Sequence, residues 1–385
     1  MNSYNVRKII EDMELDLIKS FKTELEKDTE EDYERWKKER LISFQEFKKR
    51  NRRIINKYDG KVRSKIVAGL INMYWLGQEK FYQLAEAAKA QLGNIFISPN
   101  TRLVKTLETL QRPSIEPKFF RINDYKFNAL IESIENDFNE ANAAVLRQMD
   151  DVYRQTLFKT QVHYNTGQVT LQQAIDESTK DFREKGIDAI VYSDGKRVNI
   201  ASYAEMAIRT ANHRAYLMGE GKKRQEMGLA WVVVSAHATA CELCAPWQGL
   251  VLIDDVYTLD ENEAMAAQLE PPEELNYEPR RLSEAMEAGL LHPNCRHNLS
   301  TYFPGITTLP EIPDPLEVLR NYEAEQRQRY IERQIRKYKR LKEGAISQAD
   351  QKRYSAYMRR WQKVMRDFLK GNPQLRRAYH REKLY

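Results

Sequence analysis

Apolar residues recur every three or four positions through most of the N-terminal half of the chain, which is the spacing of amphipathic helices. The first pattern runs from Asn5 to Lys27. Thr29 and Asp32 have the spacing of a capping box, and a second helix is predicted from Asp32 to about Tyr58, where Asp59-Gly60 ends it. The many charges in this half are predicted to lie on the outer faces of the helices. Further helical patterns cover residues 66–92, 124–163 and 171–185.

Short apolar runs replace the helical pattern near residue 189. Ala189–Tyr192 and Arg197–Ile200 flank the run Ser193-Asp194-Gly195-Lys196, which predicts a β-hairpin with an Asp-Gly turn. Trp231–Ser235 and Gly249–Ile253 are rich in β-branched and aromatic residues, and each predicts a short strand. A small region that mixes strands and helices is therefore expected in the middle of the chain.

One helix and one insertion are predicted around these strands. Ser202 and Glu205 have capping-box spacing, and the helix that they begin is predicted to end near Gly219 or Gly221. Acidic residues accumulate from Asp254 to Glu287, so this insertion is expected to be exposed.

The C-terminal region reads as a linker followed by two basic helices, Leu316–Lys342 and Gln348–Gly371. The predicted fold is mainly α with a small α+β Cys/His module and long amphipathic helices on both flanks. We expect five segments along the chain: an N-terminal helical region (1–122), a long-helix connector (123–188), the α+β Cys/His module (189–305), a Pro-containing linker (306–325) and a basic helical tail (326–385).

The basic residues are unevenly distributed, although the net charge is only +6. From Arg327 to Tyr385 there are 19 Lys and Arg against five Asp and Glu, so the rest of the chain is slightly acidic. Such a tail suits phosphate-rich or acidic partners, and a pair of solvated basic helices is an equal alternative.

Composition excludes several other classes of protein. Glycine and proline are scarce, which argues against an all-β sandwich or a Rossmann-type enzyme. No run approaches the length of a membrane span, and the first residues carry charges where a signal peptide is apolar, so membrane insertion is not expected. We expect the chain to fold in a cytosol, where its three cysteines would not form disulfides.

Two short clusters hold all three cysteines and three of the six histidines. Cys241-x2-Cys244 and His292-x2-Cys295 each offer two ligands from one turn, which is a pattern typical of a closed structural zinc site. His297 is the alternative to His292, which we prefer because its spacing to Cys295 repeats that of the first pair. The 47 residues between Cys244 and His292 are more than most compact zinc modules contain.

Two other interpretations of these clusters remain open. Cysteines and histidines can pack in a small core without metal, because free cysteine is among the most buried residue types. A catalytic pair of Cys241 or Cys244 with His292 would make the protein a cysteine hydrolase. No phosphate-binding loop, G-x-S-x-G or H-E-x-x-H motif is present, so the chain is not expected to be an enzyme.

A combination of motifs between about Ala189 and Gly305 resembles the phage minor capsid protein 2 family, which is related to the Mu F-like head-morphogenesis proteins. The long helical flanks also look like those of the family. The motifs are Tyr203-Ala-Glu-Met-Ala-Ile-Arg-Thr210, Val234-Ser235-x-His237, Cys241-x2-Cys244-Ala-Pro-Trp-Gln-Gly249 and Gly289-Leu-Leu-His292-Pro-Asn-Cys-Arg-His297-Asn-Leu-Ser-x-Tyr302-x-Pro304-Gly305.

This resemblance implies a minor head protein of a tailed bacteriophage that associates with the portal and aids head morphogenesis and DNA packaging or ejection. Its expected partners are the portal protein, with major capsid or scaffold proteins, and phage DNA through the basic tail. The expected location is the capsid interior near the portal vertex, after assembly in the host cytoplasm. The alternatives are a nucleic-acid-binding protein with a zinc-stabilised module and, less favoured, the cysteine hydrolase.

Overall fold

The computed structural model describes residues 3–30, 32–92, 107, 125–165, 169–258 and 272–383. It is dominated by helices with a few short strands, which confirms the predicted fold class. The chain forms two compact units, each assembled from separate stretches. The module unit consists chiefly of Val67–Glu132 and Met206–Glu323, and the helical unit of Asn2–Ile66, Ser133–Glu205 and Ala324–Tyr385. The five-segment division along the chain stays a prediction.

Helices of very different length make up the described part of the chain. They are α1 (Ser3–Glu26), α2 (Tyr33–Gln91), α3 (Tyr125–Tyr164), α4 (Leu171–Lys185), α5 (Ile200–Glu226), α6 (Leu282–Glu287), α7 (Pro315–Gly344) and α8 (Gln348–Lys370), with 3-10 turns at Ala245–Trp247 and Tyr379–Arg381.

The strands form two small antiparallel sheets. They are β1 (Ile190–Val191), β2 (Arg197–Val198), β3 (Trp231–Val234), β4 (Val251–Ile253) and β5 (Leu299–Thr301). The predicted hairpin is confirmed, with Ile190 opposite Val198. The second sheet has the order β4-β3-β5, with Val232 opposite both Leu252 and Thr301. No pattern in the sequence predicted β5, which is only three residues long.

The second predicted helix does not end at Asp59-Gly60, because α2 continues through this pair to Gln91. Arg63 and Asn142 donate hydrogen bonds of 2.7 and 2.8 Å to the two carboxylate oxygens of Asp59. A glycine inside a helix costs only about 1 kcal/mol, so the residues on either side carry the helix across it. The N-cap is Asp32, whose Oδ1 accepts from the Arg35 amide at 3.0 Å.

The helix expected to end near Gly219 or Gly221 also runs further, to Glu226. A Cβ atom at Gly219 would lie 1.9 Å from the carbonyl oxygen of Tyr74, and one at Gly77 would lie 2.0 Å from that of Tyr216. These glycines therefore permit the close crossing of α2 and α5 rather than stopping a helix. At its start the cap is Asn199, not Ser202, since Asn199 Oδ1 accepts from the Ala201 amide at 3.1 Å.

α1 is a central helix of the helical unit, buried on most of its circumference. The predicted apolar face, which includes Ile10, Leu17 and Phe21, is buried. Charged residues are buried as well, contrary to the prediction that charges lie on outer faces. They remain in the core because they have polar partners there: Glu11 pairs with Arg7 at 2.8 Å, and Glu14 Oε1 accepts from the Ile187 amide at 2.8 Å and from Asn199 at 2.6 Å.

The two predicted C-terminal helices are confirmed, and α7 from Ala324 onward and all of α8 belong to the helical unit. Ile331 and Ile335 of α7 and Met365 of α8 form a buried cluster. At the turn between the helices, Asp176 of α4 accepts hydrogen bonds from the Ile346 and Ser347 amides at 2.9 and 2.8 Å. These contacts fix where α8 begins.

The core of the module unit lies on both faces of β3. Val232 and Val234 face a cluster that contains Leu217, Leu252, Leu299 and Cys244, whereas Trp231 and Val233 pack against Val251 and Tyr302. The alternation follows from the two-residue period of a strand. Every residue of β3 is buried, so this short strand is fixed from two sides.

The prediction that the acidic insertion is exposed is wrong for part of its length, because several of its residues are buried. Asp254 is fully buried, as are Leu282 and Ala285 of α6. Asp254 stays in the core because Arg224 of α5 donates to its Oδ2 at 2.6 Å. Residues 259–271 of the insertion lie outside the described part of the chain.

Candidate metal centre

The two Cys/His clusters lie in loops at the same end of the three-stranded sheet. The first loop leaves β3 and returns as β4, and the second leads from α6 into β5. The Gly249 amide donates to the Val234 carbonyl at 3.0 Å, and the Ser235 amide donates to the Asn298 carbonyl at 2.9 Å. Strand pairing therefore brings together ligands that are about fifty residues apart in sequence.

Each cluster is a tight turn. The Cys244 and Ala245 amides both donate to the Cys241 carbonyl, at 3.1 and 2.9 Å, and the Cys295 amide donates to the His292 carbonyl at 2.9 Å. Asn294 takes a positive φ of 69° within the second turn, a conformation that asparagine tolerates better than most residues. Both turns direct their side chains toward the same point.

The sulfur and nitrogen atoms meet in two overlapping groups that share Cys244. One group is Cys241, Cys244 and His292, and the other is Cys244, Cys295 and His297; within each, the ligand atoms lie within 4.8 Å of one another. The Cys241 Sγ to His292 Nε2 distance is 3.1 Å and the Cys244 Sγ to Cys295 Sγ distance is 3.5 Å. The four predicted ligands are thus divided between the two groups, and His297 is a member of the second group on the same footing as Cys295.

Hydrogen bonds decide which nitrogen each histidine offers. His292 Nδ1 lies 2.8 Å from the Pro293 carbonyl, so Nδ1 carries the proton. The unprotonated Nε2 therefore directs its lone pair toward Cys241. His297 Nε2 lies 3.3 Å from Gln248 Oε1, which leaves its Nδ1 toward Cys295 at 3.4 Å. Both imidazoles can offer a lone pair to the cluster.

Gln248 and His237 form an outer layer that the sequence did not assign. Gln248 Oε1 accepts from the His237 amide at 2.7 Å, and the rings of His237 and His297 lie with centroids 4.2 Å apart and planes tilted by 32°. Gln248 belongs to the Trp-Gln-Gly motif, which was the available signal for it. Trp247 beside it is buried in the core cluster of the module unit.

The pKa shifts differ among the three thiols: the thiolate is favoured at Cys241 and Cys295, and the neutral thiol at Cys244. Burial would raise the pKa of Cys241, but the His292 side chain and neighbouring donors bring that pKa below its ordinary value. The hydrogen bond from Cys244 lowers the pKa of Cys295, and the same contact together with burial raises the pKa of Cys244. Contacts with the Pro293 carbonyl and Cys241 outweigh burial and raise the pKa of His292.

The donor set fits a tetrahedral thiophilic metal ion. Sulfur atoms bound about 2.3 Å from a tetrahedral ion are separated by about 3.8 Å, close to the 3.5 Å between the Cys244 and Cys295 sulfur atoms. Cys244 is fully buried, and Cys241 and Cys295 are half-buried. Without a metal ion these thiols would lose water without gaining strong hydrogen bonds, because sulfur is a weak hydrogen-bond partner.

A cysteine hydrolase fits this geometry less well. Cys241 and His292 are at the distance of a nucleophile and its base, and the Pro293 carbonyl holds the other nitrogen of His292 as an orienting group would, so this pair alone does not separate the two interpretations. The cavity beside His292 and Cys295 has a volume of about 10 Å³, room for a single water molecule. No substrate of ordinary size would fit there.

Comparison with known proteins gives a consistent result over most of the chain. The family model described as phage minor capsid protein 2 matches residues 2–370. A structural protein of Lactococcus phage LL-H is 25% identical over 291 residues, which cover 74% of this chain and 76% of that protein. A structural protein of Lactococcus phage mv4 is 40% identical over 101 residues, which cover 25% of this chain and 82% of that protein. No solved structure shows a significant match.

Proposed function

Because this chain belongs to the phage minor capsid protein 2 family, and is therefore a bacteriophage structural protein, we propose that it is an internal, portal-associated component of the head of a tailed phage. In this role it aids head morphogenesis and DNA packaging or ejection. The observation that carries the proposal is the family match across residues 2–370, which includes both units of the structure.

Within this role, the Cys/His cluster holds one structural zinc ion through Cys241, Cys244, His292 and Cys295. Three thiolates and one imidazole form a closed set with no position left for substrate. His297 and Gln248 orient the ligands from outside the set, as the hydrogen bond between them supports. The metal stabilises the end of a three-stranded sheet that is otherwise very small. The protein is not an enzyme in this proposal.

The portal contact is proposed to lie on the helical unit, at exposed apolar residues of α2 and α3. α1 is largely buried in the helical unit and offers little surface to a partner. Leu41 and Ile42 of α2 are 57% and 65% exposed, and Phe158 of α3 is 67% exposed. A protein interface would cover these apolar side chains and remove them from water. Major capsid or scaffold proteins are the other partners expected during assembly in the host cytoplasm.

No helix among the described residues is long and apolar enough to cross a membrane.

An internal position is tested by protease treatment of purified virions. We expect the protein to survive in intact particles, because the shell excludes the protease, and to be degraded after the heads are opened by osmotic shock. Mass spectrometry before and after opening gives the two amounts, with the major capsid protein as the loading reference and an exposed tail protein as the digestion control. Complete digestion in intact particles would place the protein outside the shell and refute the proposal.

A further inference from the structure

The basic residues of the two C-terminal helices fall into two groups with different surroundings. Those of α7 are largely used inside the helical unit: Arg340 donates to the Glu184 carbonyl at 2.7 Å, and Lys337 pairs with Glu184 at 2.8 Å. The Arg336 guanidinium is so deeply buried that its pKa falls to about 10. Much of the positive charge of α7 therefore stabilises the fold, while the exposed basic residues of this helix are Arg320, Arg327 and Arg333.

α8 has the opposite arrangement. Its apolar face packs on α7 through Met358, Trp361 and Met365. The opposite face has exposed basic residues at intervals of seven, four, three and four positions. At 3.6 residues per turn, these positions all fall within a sector of about 60° around the helix axis. We call this line the α8 stripe; it consists of Lys352, Arg359, Lys363, Arg366 and Lys370.

The α8 stripe has little neutralising charge near it within the described residues. Lys370 lies 3.8 Å from Asp367, in a pair whose side chains are 81% and 56% exposed. Arg359 donates to the Ser355 hydroxyl at 3.5 Å, a contact that leaves its charge uncompensated. The other recorded ion pair of α8, Arg353 with Asp350 at 2.9 Å, lies beside the stripe.

We propose that the α8 stripe is a surface for duplex DNA, bound through its phosphates without regard to sequence. The stripe is about 27 Å long at 1.5 Å per residue. The same length of duplex carries about 16 phosphates, so a straight row of cations meets a dense row of anions. Contacts of this kind need only long, mobile cationic side chains on a fixed helix.

A protein partner fits this surface less well. Protein interfaces have an apolar core with charged residues at the rim, and the centre of the stripe contains only charged residues. The partly exposed apolar residues of α8, Tyr357 and Val364, lie to one side of the stripe. Aromatic residues of α8 such as Trp361 and Phe368 pack toward α7 and are not presented for stacking on bases. Phosphate contact is therefore the chemistry that remains.

The helix is held rigidly enough to present the stripe. Asp176 fixes the α7–α8 turn, the Ser347 hydroxyl caps α8 by accepting from the Asp350 amide at 3.2 Å, and Met365 is fully buried. The biological setting rests on the proposed function, since an internal head protein is close to packaged DNA. Binding by the purified protein is measured without particles, so the two proposals can fail separately.

The test uses the full-length protein and two unrelated 40-base-pair duplexes in fluorescence polarisation over a salt series. One variant combines Lys352→Gln, Arg359→Gln, Lys363→Gln, Arg366→Gln and Lys370→Gln. A control variant loses the same charge from exposed positions of α1 and α2 in the same unit, through Lys19→Gln, Lys38→Gln, Arg52→Gln, Arg53→Gln and Lys61→Gln. Thermal melting confirms that both variants are folded.

If all five residues contact phosphates, log K falls with log salt with a slope of about −4.5, which is about 500-fold between 50 and 200 mM salt. The stripe variant should bind at least about tenfold more weakly and lose most of this slope. The control should keep the slope, and both duplexes should bind equally. Absence of DNA binding by the native protein at 50 mM salt, or equal weakening of the two variants, would overturn the proposal and leave an acidic protein surface as the partner.

Discussion

Replacing Cys244 and Cys295 with serine is expected to abolish zinc binding at the proposed site and to unfold the Cys/His end of the module unit. Structural zinc contributes about 10–16 kcal/mol of binding free energy in small zinc peptides at neutral pH, and this free energy stabilises the fold that forms the site. Cys244 is fully buried and belongs to the core cluster with Val232 and Leu252, so loss of the site disturbs that core directly. Elemental analysis of protein purified without chelators should give about one zinc per native chain and none per double variant.

The same measurement of zinc content distinguishes the roles of the two candidate histidines. His292→Gln should lose the metal, because it removes a ligand, whereas His297→Gln should keep it with about 10–100-fold lower affinity, as expected for a residue that orients a ligand. His380→Gln, in the helical unit, serves as the control and should keep native zinc content. Native protein without zinc would contradict the proposed site, and loss only from His297→Gln would exchange the roles of the two histidines.

Arg224→Met is expected to destabilise the module unit by about 3–5 kcal/mol, because it leaves two buried carboxylates without their cation. Arg224 Nη1 lies 2.9 Å from Glu220 and Nη2 lies 2.6 Å from Asp254, and all three side chains are fully buried. Burial already raises the pKa of Glu220, with Arg224 opposing that rise. Without the arginine, at least one carboxyl group must take up a proton or expose itself to water.

Urea unfolding of the full-length protein, followed by tryptophan fluorescence, measures this change through Trp231 and Trp247 of the module unit. Lys222→Met, two residues away on α5, is the control and should change stability by less than about 0.5 kcal/mol. The triple variant Glu220→Gln, Arg224→Met, Asp254→Asn should recover much of the loss, since no unpaired charge remains buried. A loss below about 1 kcal/mol for Arg224→Met would show that the three charges are not coupled as the structure shows.

Much of the secondary structure could be predicted because it depends on local patterns. The apolar spacing of α3, α4 and α8, and the Asp-Gly turn between β1 and β2, predicted these elements within a few residues of their positions. The four proposed ligands were predicted for the same reason, since each pair belongs to one turn. The two ligand pairs lie close together because β3 pairs with both β4 and β5. In the sequence, only the residue types of the two pairs indicated that they would meet.

The errors came from features whose meaning depends on distant partners. Gly60 and Gly219 both looked like helix ends, but Gly60 lies in a solvent-exposed stretch of α2 and Gly219 permits a close helix crossing. Glu14 of α1 was expected at the surface, although its partners at Ile187 and Asn199 hold it in the core. Gln248 could not be assigned because its contact with His297 forms only in the folded loops.

The dependence of incorporation on the portal tests the proposed function most directly. Procapsids are assembled with and without the portal protein, purified, and compared by quantitative mass spectrometry with the major capsid protein as reference. If the helical unit docks on the portal, this protein is expected in portal-containing procapsids and absent from portal-less ones, because its binding surface is supplied by that single vertex. Equal amounts in both would contradict portal-directed incorporation.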